Sequence, residues 1–383
     1  MCKRPLLFSI ALLFATTSLG QTNDVGRRLE DVERHYEEAK KWEQQANWSG
    51  AEAEWRSVLQ IVPNDARAWT NLGVSLSRQN KSAEAVEAWQ RAIAIEPGLA
   101  GPHLNLGLAL VRNRAYTEAI APLRRTLEIE PENDEARRAL ALALVGIEQF
   151  PKASREIAQL LVKAPRDSVL LEMAAQSFMQ QARFEEAVSV LKRRLDLGNA
   201  SSHLWAQFGD ALDGAKRTPE ALEAYRHAVQ LAPDSVVTRY GLGYLYWKLY
   251  RYDEARRELD EVLRLEPGNA RAAFTLGDLY LTTGDAARAV PLLEKAATEY
   301  PNEFDTRFAL GRALLSTGNQ ERAIKELRAA VKLADSIADG HFQLGRALIQ
   351  TGEKDEGKRE LDRARELQNA KRNAEAERFR KKP

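Results

Sequence analysis

Apolar residues along this chain recur at helical spacing in short blocks separated by polar turns. Trp69, Leu72, Gly73 and Leu76 fall at i, i+3, i+4 and i+7, which puts them on one face of a first helix. Ala85, Trp89 and Ala92 fall at i, i+4 and i+7 and mark the inner face of a second. Gln79, Asn80 and Lys81 form the polar turn between the two, and Pro97 stops the second helix before the next block opens. The small residues Gly73 and Ala85 allow the two backbones to approach, with Trp69 and Trp89 filling the space beside them.

The helix pair is copied. Pro63, Pro97, Pro131, Pro165, Pro233, Pro267 and Pro301 stand at steps of 34 residues or, across one missing rung, 68. Asn199 after Gly198 occupies that rung, and Asp335 takes the step after Pro301. A second ladder runs in phase through Gly73, Gly107, Ala141, Ala175, Gly209, Gly243, Gly277, Gly311 and Gly345. Two ladders with one period mean one supersecondary unit repeated along the chain. Length therefore does not set a domain count, because each unit needs only its neighbours.

The pattern resembles the tetratricopeptide repeat (TPR), whose period is 34 and whose signature runs aromatic, Leu, Gly, Tyr, Ala, aromatic, Ala, Pro. The signature stands here as Trp205, Phe208, Gly209, Leu212, Ala221, Tyr225, Ala228 and Pro233, and again as Leu276, Gly277, Tyr280, Ala289, Leu293, Ala296 and Pro301. The resemblance implies an all-α, right-handed superhelical solenoid of about ten helix-turn-helix units over residues 32–371. A lead-in at 21–31 precedes them and a basic capping tail at 372–383 follows. The first unit departs from the signature with His35 and Ala39, as a terminal cap does, and the tenth has Gly357 in place of the close-contact alanine. In the fifth, Arg194 replaces a small inner-face residue and Asn199 the proline, so a bend is expected there.

Residues 1–20 read as a secretory signal peptide: Lys3 and Arg4, then an apolar run from Leu6 to Ala15, then Ser18 and Gly20 ahead of Gln21. Such a run makes only ~15 Å of helix against a hydrocarbon core of ~30 Å, which favours a cleaved leader over the alternative of an uncleaved membrane anchor. An exported protein, periplasmic or secreted, is the expectation, with membrane contact only through an uncleaved leader. The sole cysteine, Cys2, lies within this leader.

Charge changes the picture little. The 56 Lys and Arg balance 55 Asp and Glu, which argues against a general affinity for nucleic acid or anionic membrane. The five histidines, His35, His103, His203, His227 and His341, show no metal-ligand spacing. No phosphate loop, nucleophile elbow or Cys/His cluster is visible. The sequence thus points to a non-catalytic protein with no cofactor, no metal and no small-molecule substrate.

The TPR resemblance also implies that the fifth, ninth and twelfth positions of each first helix face a concave groove. In repeats seven to ten the fifth carries Tyr240, Phe274, Phe308 and Phe342, and the twelfth Trp247, Leu281, Leu315 and Ile349. Tyr244, Asp278, Arg312 and Arg346 lie between them at the ninth. An aromatic stripe beside an aliphatic one, with two arginines at one end, is the expected peptide-binding groove, although such side chains can also serve contacts between successive first helices. With neighbouring first helices ~8 to 10 Å apart, four repeats span ~24 to 30 Å, the length of an extended peptide of ~7 to 9 residues. Repeats two to six are mixed at these positions. Asn71 and Asn105 occupy a groove position used to clamp a C-terminal carboxylate, but Thr70, Val74, Leu104 and Leu108 stand where the clamp needs lysine and a second asparagine. Nucleic acid is not expected, since Arg271, Asp278, Asp305, Arg312, Asp339 and Arg346 mix signs along the groove. The expected function is a scaffold that binds a protein or peptide segment. The alternative is a structural component of a bacterial envelope machine for secretion, polysaccharide export or pilus assembly.

Overall fold

The structure, a computed structural model, describes residues 22–380, so the leader lies outside the described residues. Among the described residues there are twenty α-helices and no strand, joined in alternating first and second helices. The chain divides into two compact units, residues 1–194 and 195–383. The first unit runs from the helix Thr22–Gln44 to the helix that opens at Phe184. The second runs from Ser202–Gly214 to Lys354–Arg380. Within each, the helix pairs pack in sequence as repeats.

Most first helices are 13 residues long and most second helices 14, such as Ala66–Arg78 and Ser82–Ile95. Helices of that length are marginal alone in water, so burial between neighbours must hold them. Trp55, Leu72, Leu123, Ile157 and Leu191 are fully buried in the first unit, and Leu212, Leu245 and Leu259 in the second. Each such burial contributes roughly 1.5–3 kcal/mol before chain entropy is subtracted.

The in-phase small residues act as expected at the first-to-second helix contact. A Cβ on Gly73 would stand 2.4 Å from Trp89 Nε1, and one on Gly345 would stand 2.8 Å from the Gly357 carbonyl oxygen. Trp89 therefore lies directly on Gly73 and donates to the Thr70 carbonyl at 3.1 Å. Trp69, expected as filler, is only half-buried and donates to the Pro63 carbonyl at 2.8 Å.

Three periodic devices stop and restart the helices. Each first helix ends on a residue of positive φ, from Ala46 (54°) and Asn80 (62°) through Tyr250 (58°) to Gly284 (87°) and Gly352 (96°). The next N–H reaches back to an orphan carbonyl, as Lys81 does to Leu76 at 3.0 Å. Two residues after most prolines stands the N-cap of the following helix: Asp65, Asn133, Asp167, Ser235 and Asn269 accept from backbone N–H groups there. Leu99 and Ile337 occupy the same rung and have no side-chain cap. The proline itself offers a carbonyl, taken by the side chain six residues on: His103 at 3.1 Å, Arg307 at 3.0 Å and, where Asp335 replaces proline, His341 at 2.9 Å.

At the missing rung the second helix closes early, at Leu195, with Gly198 and Asn199 both at positive φ (80° and 52°). Arg194 does not intrude on the core; its Nε lies 2.7 Å from the Glu172 carboxylate. At the other end the helix that starts at Lys354 runs to Arg380, taking up the expected polar tail. It carries exposed Lys358 and Arg365 where the preceding repeat has Ile324 and Val331 in its core. The lead-in 21–31 is likewise absorbed, since the first helix begins at Thr22.

Candidate functional site

Four first helices of the second unit carry the candidate residues: Val236–Lys248, Ala270–Thr282, Phe304–Ser316 and Ala338–Thr351. Ser235 and Asn269 cap the first two through side-chain oxygens. The fifth, ninth and twelfth positions are i, i+4 and i+7, so on each helix they form one stripe. Repetition at 34 residues lays four stripes side by side.

On the first of these helices the stripe is a column of rings. Tyr240 stacks on Tyr244 with centroids 6.3 Å apart, and Tyr244 on Trp247 at 5.6 Å. One end of the column reaches the next helix through Tyr240, whose Oη lies 3.5 Å from Thr275 Oγ1, and at the other end Trp247 stands near the Asp278 carboxylate and favours its charged form. Burial pushes the Asp278 carboxyl above the ordinary aspartate range, against the pull of Arg312 and Trp247.

Further along, Phe308 stacks on Phe304 at 5.2 Å, and Phe308 and Leu315 pack against the core formed by Ile324, Leu327, Leu344, Ala347 and Leu348. Phe274, Leu281 and Arg312 are half-buried. Tyr244, Phe342 and Ile349 remain open, with 37%, 40% and 36% of their surface exposed, and Arg346 is exposed as well. The eleven residues thus divide. Tyr240, Trp247, Phe308 and Leu315 join adjacent helices, while Tyr244, Phe342, Arg346 and Ile349 face outward.

Four of the expected residues meet in one cavity of about 380 Å³: Leu281, Arg312, Leu315 and Arg346 line it together with Ser316, Gln343, Ala347 and Gln350. The guanidinium of Arg312 lies over the Phe308 ring at 5.7 Å, and that of Arg346 over the Phe342 ring at the same distance. Sequence reasoning missed Ser316, Gln343 and Gln350. Ser316 and Gln350 stand 34 residues apart, one place beyond the twelfth position, so periodicity would have found them had that position been included.

Two of the histidines have carboxylate partners. His35 Nδ1 lies 2.5 Å from Glu54 and His341 Nδ1 lies 2.6 Å from Glu360. Among the described residues no group of His, Cys, Asp and Glu is arranged to hold a metal ion, and no helix is long and apolar enough to cross a membrane.

The fold and its repeated stripe define an all-α repeat protein of stacked helix pairs. Models described as tetratricopeptide repeat match residues 66–99, 110–177, 172–236, 240–304 and 280–339, and the chain belongs to the tetratricopeptide repeat family. A peroxisomal targeting signal receptor of Candida albicans is 32% identical over 82 residues, which is 21% of this chain and only 14% of the receptor. Among solved structures, MamA (residue 41 to the end) from Desulfovibrio magneticus RS-1 is 21% identical with a TM-score of 0.42, over 44% of this chain and 96% of that one. The structure of Naa15/Naa10 bound to HypK-THB is 14% identical with a TM-score of 0.48, over 89% of this chain and 63% of that one.

Proposed function

We propose that this chain is an exported, non-catalytic scaffold that holds an extended apolar or aromatic protein segment across the first helices of repeats seven to ten. The observation that carries the reading is that Tyr244, Phe342 and Ile349 stay open on the stripe positions of the first and fourth of these helices, while Leu281, Arg312, Leu315 and Arg346 of the helices from the second to the fourth line one cavity. A row of apolar side chains left open beside a polar cavity is what a segment with alternating anchors needs. Membership of the tetratricopeptide repeat family supports protein binding in general. The export part rests on residues 1–20 alone, and the N-terminal sequence of the protein recovered from envelope fractions tests it; a chain beginning at Gln21 is expected.

Selection of displayed octapeptides on the full chain tests the groove. Peptides with aromatic or large aliphatic anchors are expected to bind the parent and to be lost on combining Tyr244→Ala, Phe342→Ala and Ile349→Ala, with helical content unchanged. These three positions are preferred to Phe308, whose loss would also disturb the core. Equal binding by the triple variant would overturn the reading. Recovery of one stoichiometric envelope complex with the same residues at its interface would assign the scaffold to a fixed machine.

A further inference from the structure

The sequence predicts an acidic group of the bound segment near Arg312 or Arg346, and the apolar anchors do not say which acid that is. Most arginines of the second unit hold a carboxylate: Arg239 with Glu258, Arg307 with Glu326, Arg328 with Glu353 and Glu356. Arg312 and Arg346 form no ion pair and no side-chain hydrogen bond among the described residues. Asp278 attracts Arg312 without forming an ion pair with it. Both guanidiniums instead lie on phenylalanine rings one helical turn away, at the same 5.7 Å, and both open into the same cavity. A ring beneath a guanidinium covers one face and steadies it, leaving the edge donors free. Gln343, Gln350 and Ser316 add neutral donors to the cavity wall.

Resting on the groove reading above, we propose that this cavity is a receptor for a phosphate monoester, carried as a phosphorylated side chain on the bound segment. Two unpaired guanidiniums present two positive charges. A single carboxylate neutralises one of them, whereas a phosphomonoester carries about −1.5 to −2 charges near neutral pH and offers three acceptor oxygens. Each arginine fork can take two oxygens, and the amides and hydroxyl remain for the third. Leu281 and Leu315 accept the aliphatic stem of the phosphorylated residue.

The full chain is titrated with N-acetyl-O-phosphoserine methylamide while the arginine side-chain Nε–H resonances are followed by NMR. The resonances assigned to Arg312 and Arg346 are expected to move, with affinity about tenfold higher than for N-acetylglutamate methylamide and about tenfold lower after Arg312→Gln or Arg346→Gln. Arg257→Gln, outside the cavity, should leave the titration unchanged. Equal affinity for the two probes, no shift of either arginine, or binding indifferent to both arginine changes would overturn the proposal. Because the probe needs no peptide, the two readings fail separately. Probe binding with peptide selection indifferent to Tyr244 and Phe342 removes the groove and leaves the cavity, and the converse result removes the cavity alone.

Discussion

Arg137 Nη1 lies 2.8 Å from Glu156 Oε2, nineteen residues further on, and the same arginine donates to the Pro131 carbonyl. The pair ties the turn that opens a repeat to the second helix of that repeat. His35 with Glu54, Arg239 with Glu258, Arg307 with Glu326 and His341 with Glu360 repeat it at the same separation of 19. Where the first member is Leu171 or Ala273, the second is Val190 or Leu292, so the tie is replaced by apolar contact. His103 is the exception: it keeps the Pro97 carbonyl but faces Pro122 at the separation of 19.

Removing one partner should therefore cost more than removing both. Arg307→Ala leaves Glu326 half-buried without its cation and is expected to destabilise by about 2 kcal/mol. Arg307→Ala with Glu326→Leu, which installs the Ala273/Leu292 pair of the preceding repeat, should recover most of that. Denaturant midpoints of the two variants check it, and a double variant no better than the single one would refute the pairing.

At the cap rung, Leu99, Glu303 and Ile337 make no side-chain cap, and Leu99 and Ile337 have no acceptor to offer. Leu99→Asp and Ile337→Asp supply the missing acceptor, and each is expected to add about 1 kcal/mol. The reverse change, Asp167→Ala, removes an acceptor that serves the Leu170 N–H at 3.0 Å and should lose a similar amount. Thermal unfolding followed by far-ultraviolet circular dichroism measures all three.

Gly73→Ala drives a methyl into Trp89, and overpacking of this kind costs typically 1–3 kcal/mol. The fourth repeat holds Ala141 at the place of Gly73 and Ile157 at the place of Trp89, both buried. Gly73→Ala combined with Trp89→Ile should thus be better tolerated than Gly73→Ala alone, as a shift in unfolding midpoint would show.

Two carboxyls should give opposite pH slopes. Burial raises Glu52, but hydrogen bonds from Lys81, Arg56 and Gln79 outweigh it and hold its pKa below the ordinary glutamate value. Its contribution is complete above that ordinary value and is lost as pH falls through the folded-state pKa. Asp278 is shifted the other way by burial, so the folded state binds its proton more tightly and this group favours folding increasingly as pH falls from above its raised pKa. Comparing midpoints from neutral to acid pH, Glu52→Gln should flatten the acid loss. Asp278→Asn should raise the midpoint at neutral pH and lose that advantage on acidification.

Helix phase was legible in the residues because proline and glycine act locally: one stops a helix, the other admits a neighbour, and both recur at one period. The ties between Arg137 and Glu156 and their equivalents were also present as co-occurring positions, but metal-ligand spacing among the histidines says nothing of a glutamate nineteen residues on. At the candidate site, periodicity placed Arg312 and Arg346 in one column, but not their rings beneath them or Gln343 and Gln350 beside them. Which of Tyr240, Phe308 and Leu315 turn toward a neighbouring helix depends on rotamers set by Thr275, Phe304 and the core below. Spacing along the chain carries no record of those.

The helix Lys354–Arg380 turns a charged outer face away from the repeats before it. Stacked repeats grow by laying a new first helix on the preceding second helix, and a bare apolar end would invite another copy of the chain to continue the stack. Lys358 and Arg365, standing where Ile324 and Val331 serve the inner contact, would have to be dehydrated beneath such a newcomer. That face therefore resists head-to-tail stacking through its charge.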